Sequence, residues 1–274
     1  MKRIVSIQDI SCLGQCSLTI ALPVISSRGI EVSILPSALM STHTGGFTGY
    51  TCLDLTDEMP KIMDHWVSAG IDFDAVYVGY IGDARQFELI KRCRKELLKE
   101  GGLLIVDPAM ADDGQLYSAL DSSVTDGMRD IITYADIIMP NLTEAALLLG
   151  REYKEKYTRA EMTAMLRELA SLGPKRVIIT GASFEPGKIG AIAYNAADGC
   201  VDEFYTDRQP KSYHGTGDIF ASIVTADILN GISMRGCLED ACTFIEKSIK
   251  KTLPVQNHEY GVCFEEVLAD ERNT

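Results

Sequence analysis

Short runs rich in β-branched residues alternate with helical patterns along most of this chain, and that alternation admits few folds. It is the mark of a mostly parallel sheet covered by helices. The runs that read as strands are Arg3 to Ile7, Glu31 to Leu35, Ala75 to Gly79, Leu103 to Asp107, Asp136 to Met139 and Arg176 to Thr180. Helical periodicity predicts Gln15 to Arg28, Glu58 to Ala69, Ala84 to Glu100, Thr143 to Leu149 and Thr158 to Leu172. Asn141-x-x-Glu144 and Thr158-x-x-Glu161 have the spacing of capping boxes. After Thr180 the pattern changes: Ile189 to Tyr194 and Cys200 to Thr206 read as an antiparallel pair across the turn Asn195 to Gly199, and helices follow to the end.

No repeat, low-complexity tract or Pro/Gly/Ser linker interrupts the pattern, so the 274 residues, 46% of them hydrophobic, are expected to form a single domain over 1–274. A formal net charge of -13 argues against nucleic acid or an anionic membrane as partner. A nucleotide remains allowed, because backbone dipoles and a metal ion overrule the global sign locally. No run approaches the ~18 apolar residues of a membrane span. Met1-Lys2-Arg3 leads into a strand rather than a signal-peptide core, so the chain reads as cytoplasmic. The eight cysteines include no Cys-x-x-Cys pair and no histidine cluster with ligand spacing, which argues for reduced thiols and against zinc.

In open sheets of this kind, ligands bind beyond the carboxyl ends of the strands. The residues to weigh there are Asp9, Ser41 to Gly46, Tyr80, Asp107, Asn141 to Glu144 and Gly181. Most informative is His214-Gly215-Thr216-Gly217-Asp218, followed by the apolar helical run Ile219 to Val224. Three backbone amides at a helix N-terminus favour an anion, and the Asp218 carboxylate beside them can take a proton from a hydroxyl. Read alone, the same residues could be an ordinary helix cap. Neither a Walker A loop nor a Gly-x-Gly-x-x-Gly fingerprint is present, so ATP would have to be held by another route. Asp107 and Glu144, at neighbouring strand ends, supply one by holding Mg²⁺ directly or through water. The polar stretch Ser41-Thr42-His43-Thr44-Gly45-Gly46-Phe47 suits substrate contact.

Taken together, Gly215-Thr216-Gly217-Asp218, Asp107-Pro108-Ala109-Met110, Pro140-Asn141-Leu142-Thr143-Glu144, Gly79-Tyr80 and Ser41-Thr42-His43-Thr44-Gly45 resemble the pyridoxal kinases of the ribokinase-like superfamily. The resemblance implies an α/β three-layer sandwich with helices on both faces of a mostly parallel sheet. It implies phosphorylation of the 5′-hydroxymethyl group of pyridoxal, pyridoxine or pyridoxamine by magnesium ATP, with a monovalent cation such as K⁺ as a further aid, in a homodimer. Residue by residue, it makes Asp218 the catalytic aspartate and Gly215, Thr216 and Gly217 the anion hole. Asp107, Asn141, Glu144 and Thr180 fall on the nucleotide and metal side. Asp9, Ser41, His43, Thr44 and Tyr80 fall on the substrate side. One departure stands out: Gln8-Asp9 occupies a place where many relatives have Gln-Ser, setting a carboxylate beside the expected position of the pyridine nitrogen. A kinase for hydroxymethylpyrimidine or a sugar, and a nucleotide-dependent dehydratase of hydrated NAD(P)H, are the alternatives of the same superfamily.

Overall fold

The alternation read from the sequence is realised as three layers. The computed structural model describes residues 1–258 and 260–271. The first half of the chain runs β1 (Arg3–Leu13), α1 (Leu18–Ser27), β2 (Glu31–Thr42), β3 (Cys52–Asp54), α2 (Met59–Ser68), β4 (Phe73–Val78), α3 (Gln86–Leu97) and β5 (Leu98–Val106). A two-residue ribbon, β6 (Ala111–Asp112) with β7 (Gln115–Leu116), then precedes α4 (Ser122–Ile132) and β8 (Ile137–Ile138). The second half continues with α5 (Leu142–Leu148), α6 (Arg159–Ser171), β9 (Arg176–Ala182), β10 (Lys188–Asn195), β11 (Val201–Asp207), α7 (Thr216–Leu229), α8 (Met234–Thr252) and α9 (Phe264–Glu271).

Nine of these strands form one sheet in the order β11-β10-β9-β8-β5-β4-β1-β2-β3. From β9 to β2 every neighbouring pair is parallel, while β10 and β11 on one edge and β3 on the other pair antiparallel. The chain leaves β1 for β2 on one side and returns to β4 on the other. That reversal opens a crevice at the carboxyl end of β1.

Side chains alternate between the two faces with the strand period of two. Val5, Ile7, Val76, Val78 and Val106 face one helical layer, which packs Met63, Phe87, Ile90, Met128 and Leu166 against them. Ile4, Ala75, Tyr77 and Ile105 face the other, built from α1, α7 and α8 through Ile20, Val24, Ile223 and Phe244.

Several boundaries differ from the sequence expectation. β1 runs on to Leu13 and β2 to Thr42, so Asp9 and Ser41 lie in strands rather than after them. The register slips between Gln8↔Pro36 and Ile10↔Leu39, where β2 carries one residue more than β1. Ser37 fills this bulge: its hydroxyl donates to the Tyr80 carbonyl at 3.5 Å and its carbonyl accepts from Gln86 Nε2 at 3.1 Å. The helix expected from Ala84 to Glu100 ends at Leu97, and Leu98 already pairs with Phe73. The helix expected from Gln15 begins at Leu18, because Ser17 is held at φ 49°. Helix α4 is an addition: Asp121 caps it by accepting from the Ser123 amide, and Val124, Met128, Ile131 and Ile132 are buried at helical spacing.

Phe73 opens β4 fully buried and meets the ring of Trp66, the sole tryptophan, edge-on at 5.5 Å between centroids. Phe73→Ala is expected to cost about 3–5 kcal/mol, the usual range for emptying an aromatic site in a core. Urea unfolding followed by Trp66 fluorescence checks this, and a loss under about 1 kcal/mol would mean that the site collapses around the gap.

Candidate active site

The loop after β11 turns into α7 through Gly215, which has φ 84°. A Cβ at this position would lie 2.0 Å from the Gln15 carbonyl oxygen, so both conformation and space demand glycine. No side chain caps the helix. Thr216 Oγ1 turns back to donate to the Tyr213 carbonyl at 3.2 Å, and Asp218 lies inside the first turn. The capping alternative is thereby set aside: the first turn, through Thr216, Gly217 and Asp218, opens with no N-cap side chain on its amides. All three residues border a cavity of about 340 Å³. Burial above all, with the charge of Asp9, raises the Asp218 carboxyl to about 7, while the Ser17 amide and its own amide partly oppose the shift. A carboxylate that titrates near neutrality is suited to accept a proton.

Across the cavity stand Asp107, Asn141, Glu144 and Thr180. The Asn141–Glu144 capping box is formed, with Asn141 Oδ1 accepting from the Glu144 amide at 2.9 Å and Glu144 Oε2 accepting from the Asn141 amide at 2.8 Å. The second oxygen, Oε1, accepts from the Met110 amide at 3.1 Å. Asn141 Nδ2 donates to the Ala111 carbonyl at 2.7 Å. Glu144 and Asp107 are both almost fully buried. Burial pushes both carboxyls up, and for Asp107 the charges of Glu144 and Asp218 add to it. Thr180 donates its amide to the Pro140 carbonyl at 3.0 Å, keeping β9 against the strand end that leads into α5.

The sequence reading passed over Arg208 and Lys211, which bring positive charge to the same cavity, and over the apolar wall of Ile189, Cys242, Ile245 and Ile249. Basic residues just upstream of the Gly-Thr-Gly-Asp segment were a legible signal for the first pair. The wall has none, because it is made by a hairpin and a helix distant in sequence.

Around Asp9 the structure gathers His43 and Tyr80. Asp9 is buried and accepts from Ser11 Oγ at 2.9 Å; burial raises its carboxyl, and Ser17 and Ser11 oppose that. Burial, then the charge of Asp9, pushes up the Tyr80 phenol, and Asp9 is also within electrostatic reach of His43. His43 Nε2 lies 2.9 Å from the Tyr260 carbonyl, so that nitrogen carries the proton. Burial lowers the pKa of the imidazole. Ser41 is engaged differently: its Oγ accepts from the Thr51 amide at 2.9 Å, closing the turn between β2 and β3. Thr44 follows His43 on the same segment, half-buried. Cys16 was also missed; its thiol donates to Ser11 Oγ at 3.4 Å and senses both Asp218 and Asp9. Asp218 is the group that couples the two halves, feeling Asp9 on one side and acting on Asp107 on the other.

The sequence profile of the phosphomethylpyrimidine kinases matches residues 29–263. The chain belongs to that family. The pyridoxine/pyridoxal/pyridoxamine kinase of Bordetella avium is 27% identical over 268 residues, 91% of this chain and 85% of that one. Among solved structures, a Bacteroides thetaiotaomicron protein described as a phosphomethylpyrimidine kinase, in a crystal form with pyridoxal, is 38% identical with a TM-score of 0.94, covering 98% of this chain and 95% of that one. The pyridoxal kinase of Lactobacillus plantarum is 30% identical with a TM-score of 0.89, covering 98% of this chain and 96% of that one. By this homology the family member described here is a phosphotransferase, and the expected ribokinase-like sandwich is the fold it has. No helix among the described residues is long and apolar enough to cross a membrane.

The acids of this kinase's cavity imply a pH signature. The folded protein keeps a proton on Asp218 up to about pH 7, whereas the unfolded chain releases it near 3.8, and Asp107 is raised in the same direction. The folded state therefore binds more protons across that window, and stability falls as pH rises through it. Thermal melts in buffers spanning this interval should show a declining Tm, and Asp107→Asn should flatten the decline. An Asp107→Asn slope equal to the wild-type slope would remove Asp107 from the account.

Proposed function

We propose that this kinase transfers the γ-phosphoryl group of magnesium ATP to the 5′-hydroxymethyl group of a B6 vitamer, pyridoxal, pyridoxine or pyridoxamine. The observation that carries the reading is the position of Asp218, a carboxyl titrating near 7 beside uncapped helix amides, between the nucleotide-side cavity and the acceptor-side cluster. The vitamers named for the Bordetella kinase and for the Bacteroides crystal form support the choice of acceptor.

In this reading Asp218 accepts the proton of the acceptor hydroxyl as that oxygen attacks the γ-phosphorus and the bond to the bridging oxygen breaks. The amides at Gly215, Thr216 and Gly217 face the charge on the transferred group. Phosphoryl transfer passes through a loose transition state, so alignment and charge neutralisation account for most of the acceleration. Asp107 and Glu144 fit Mg²⁺, since their hard oxygens lie beside the space for the phosphates and their repelling charges call for a cation. No group of three or more candidate ligands stands ready as a cage among the described residues. Both Glu144 oxygens are occupied by amides, so Asp107 would hold the ion and Glu144 would act through its water shell. When bound, Mg²⁺ would neutralise charge on the phosphates. Asn141 and Thr180 line the same side and would face the nucleotide, with Arg208 and Lys211 opposite in charge to its phosphates.

Asp9 is assigned to the ring nitrogen of the vitamer, with His43, Thr44 and Tyr80 around the ring and Ser41 shaping the segment that carries them. Burial disfavours the Asp9 anion, and a protonated pyridine would supply the missing countercharge. Hydroxymethylpyrimidine presents a similar hydroxymethyl heterocycle, and the matched profile makes it the competing acceptor.

Turnover of purified protein with magnesium ATP and a panel of the three vitamers, hydroxymethylpyrimidine and ribose tests this reading. At least one vitamer should be preferred, EDTA should abolish turnover, and Asp218→Asn should lower kcat by ~10²–10⁴-fold in a folded protein. Phosphorylation of hydroxymethylpyrimidine or ribose with none of the vitamers would overturn the acceptor assignment. A second substitution addresses Asp9. A charge-assisted hydrogen bond is worth about 1.5–3 kcal/mol, so Asp9→Ser should raise the vitamer KM by about tenfold to a hundredfold and change its pH dependence, with the KM for ATP little altered. Parallel pH profiles would detach Asp9 from the ring nitrogen.

A further inference from the structure

His214 has no part in the reaction as described, yet it stands immediately before Gly215 and borders the nucleotide-side cavity. Its ring lies 5.2 Å from that of His43, tilted by 46°. His43 is met in turn by Phe47, edge-on at 5.0 Å. A row of three rings therefore leads from the nucleotide cavity to the segment after β2.

The backbone closes onto this row. A Cβ on Gly45 would lie 2.4 Å from His214 Cε1, so the main chain of the segment rests directly against the imidazole. From behind, the Tyr260 carbonyl binds His43 Nε2 at 2.9 Å and accepts from the Gln15 amide at 3.3 Å. Gln15 is also the residue whose carbonyl abuts Gly215. The segment 43–47 and the phosphate-binding turn are thus tied to each other twice, through His214 on one side and through Gln15 and Tyr260 on the other.

We propose that His214 is a positioning residue that keeps the segment 43–47 seated against the Gly215 turn, so that the acceptor hydroxyl and not water receives the phosphoryl group. The inference rests on the phosphoryl-transfer reading above. In the productive reaction the acceptor oxygen bonds to the γ-phosphorus, the bridging bond to ADP breaks and Asp218 takes the hydroxyl proton. In the competing reaction a water oxygen makes that bond, the same bridging bond breaks, and ADP, inorganic phosphate and a proton are released. Both begin with the same bound nucleotide, and what separates them is access of water to the γ-phosphorus. A ring resting against His43 and Gly45 controls that access by contact alone.

The test is the coupling ratio, ADP formed per vitamer phosphorylated, together with phosphate release in the absence of any acceptor. His214 is exposed, so His214→Ala removes little core packing and should fold. The variant should release phosphate without acceptor about tenfold faster than wild type, the scale of a modest misplacement near reacting groups. Its coupling ratio should rise above one, with the KM for ATP changed less than about twofold. His214→Phe, which keeps the ring and loses the nitrogens, should restore coupling. Gly45→Ala, acting from the other side of the contact, should uncouple as His214→Ala does. An unchanged ratio in folded His214→Ala overturns the proposal, and so does a His214→Phe protein as uncoupled as the alanine variant. If the wild type phosphorylates no vitamer, the acceptor assignment has failed instead, and acceptor-free phosphate release by the same variants still decides the role of His214.

Discussion

Both oxygens of the Glu144 carboxylate are held by main-chain amides, from Asn141 on its own turn and from Met110 in the chain after β5. This cross-link joins the start of α5 to the chain that leaves β5, and so fixes where Asp107 sits relative to the Gly215 turn. An acid in such a setting faces two penalties, loss of water and a neighbouring acid, and the amides offset part of both. Removing the amides would leave a buried charge with nothing to hold it. Removing Glu144 would leave orphaned donors in the same place.

The charge pattern follows from that arrangement. A chain with net charge -13 has a field that repels anions at a distance, yet its cavity has uncapped helix amides at one end and Arg208 and Lys211 along its wall. Local dipoles and a few cations outweigh the distant field only at short range. Under the proposed function such a site favours an anion that arrives with its own cation and fits among close donors, as a metal nucleotide would, over free phosphate or a polyanion.

What could be read from the sequence was what local chemistry decides. The capping boxes at Asn141 and Thr158 form as their spacing indicates, because each needs only four consecutive residues. The strand cores at β1, β4, β5 and β9 follow from runs of β-branched residues buried on both faces. Helix α4 escaped notice because its apolar positions are separated by Ser, Thr, Asp and Gly, which weaken the periodic signal while leaving the buried stripe intact. The extension of β1 and β2 past Ile7 and Leu35 was hidden by Gln8, Asp9, Pro36 and Ser37, polar or ring residues that read as a strand end and here lie in or beside a bulge. The encounter of Asp9 with Asp218, or of His43 with His214, depends on the packing of β1, β2 and α7, and no spacing within the chain encodes it.

The bulge at Ser37 also bears on how relatives of this chain can diverge. Side chains on a strand alternate faces, so losing the extra residue of β2 would turn Leu39 through His43 over and send the imidazole away from the crevice. Lineages that keep His43 in this crevice are therefore constrained in the length of the Pro36–Leu39 stretch as strongly as in its composition. The turn at 48–50, between the segment 43–47 and the edge strand β3, is free to gain or lose residues. Variation in length should accumulate there, and the site inherits its geometry from a count of residues as well as from their chemistry.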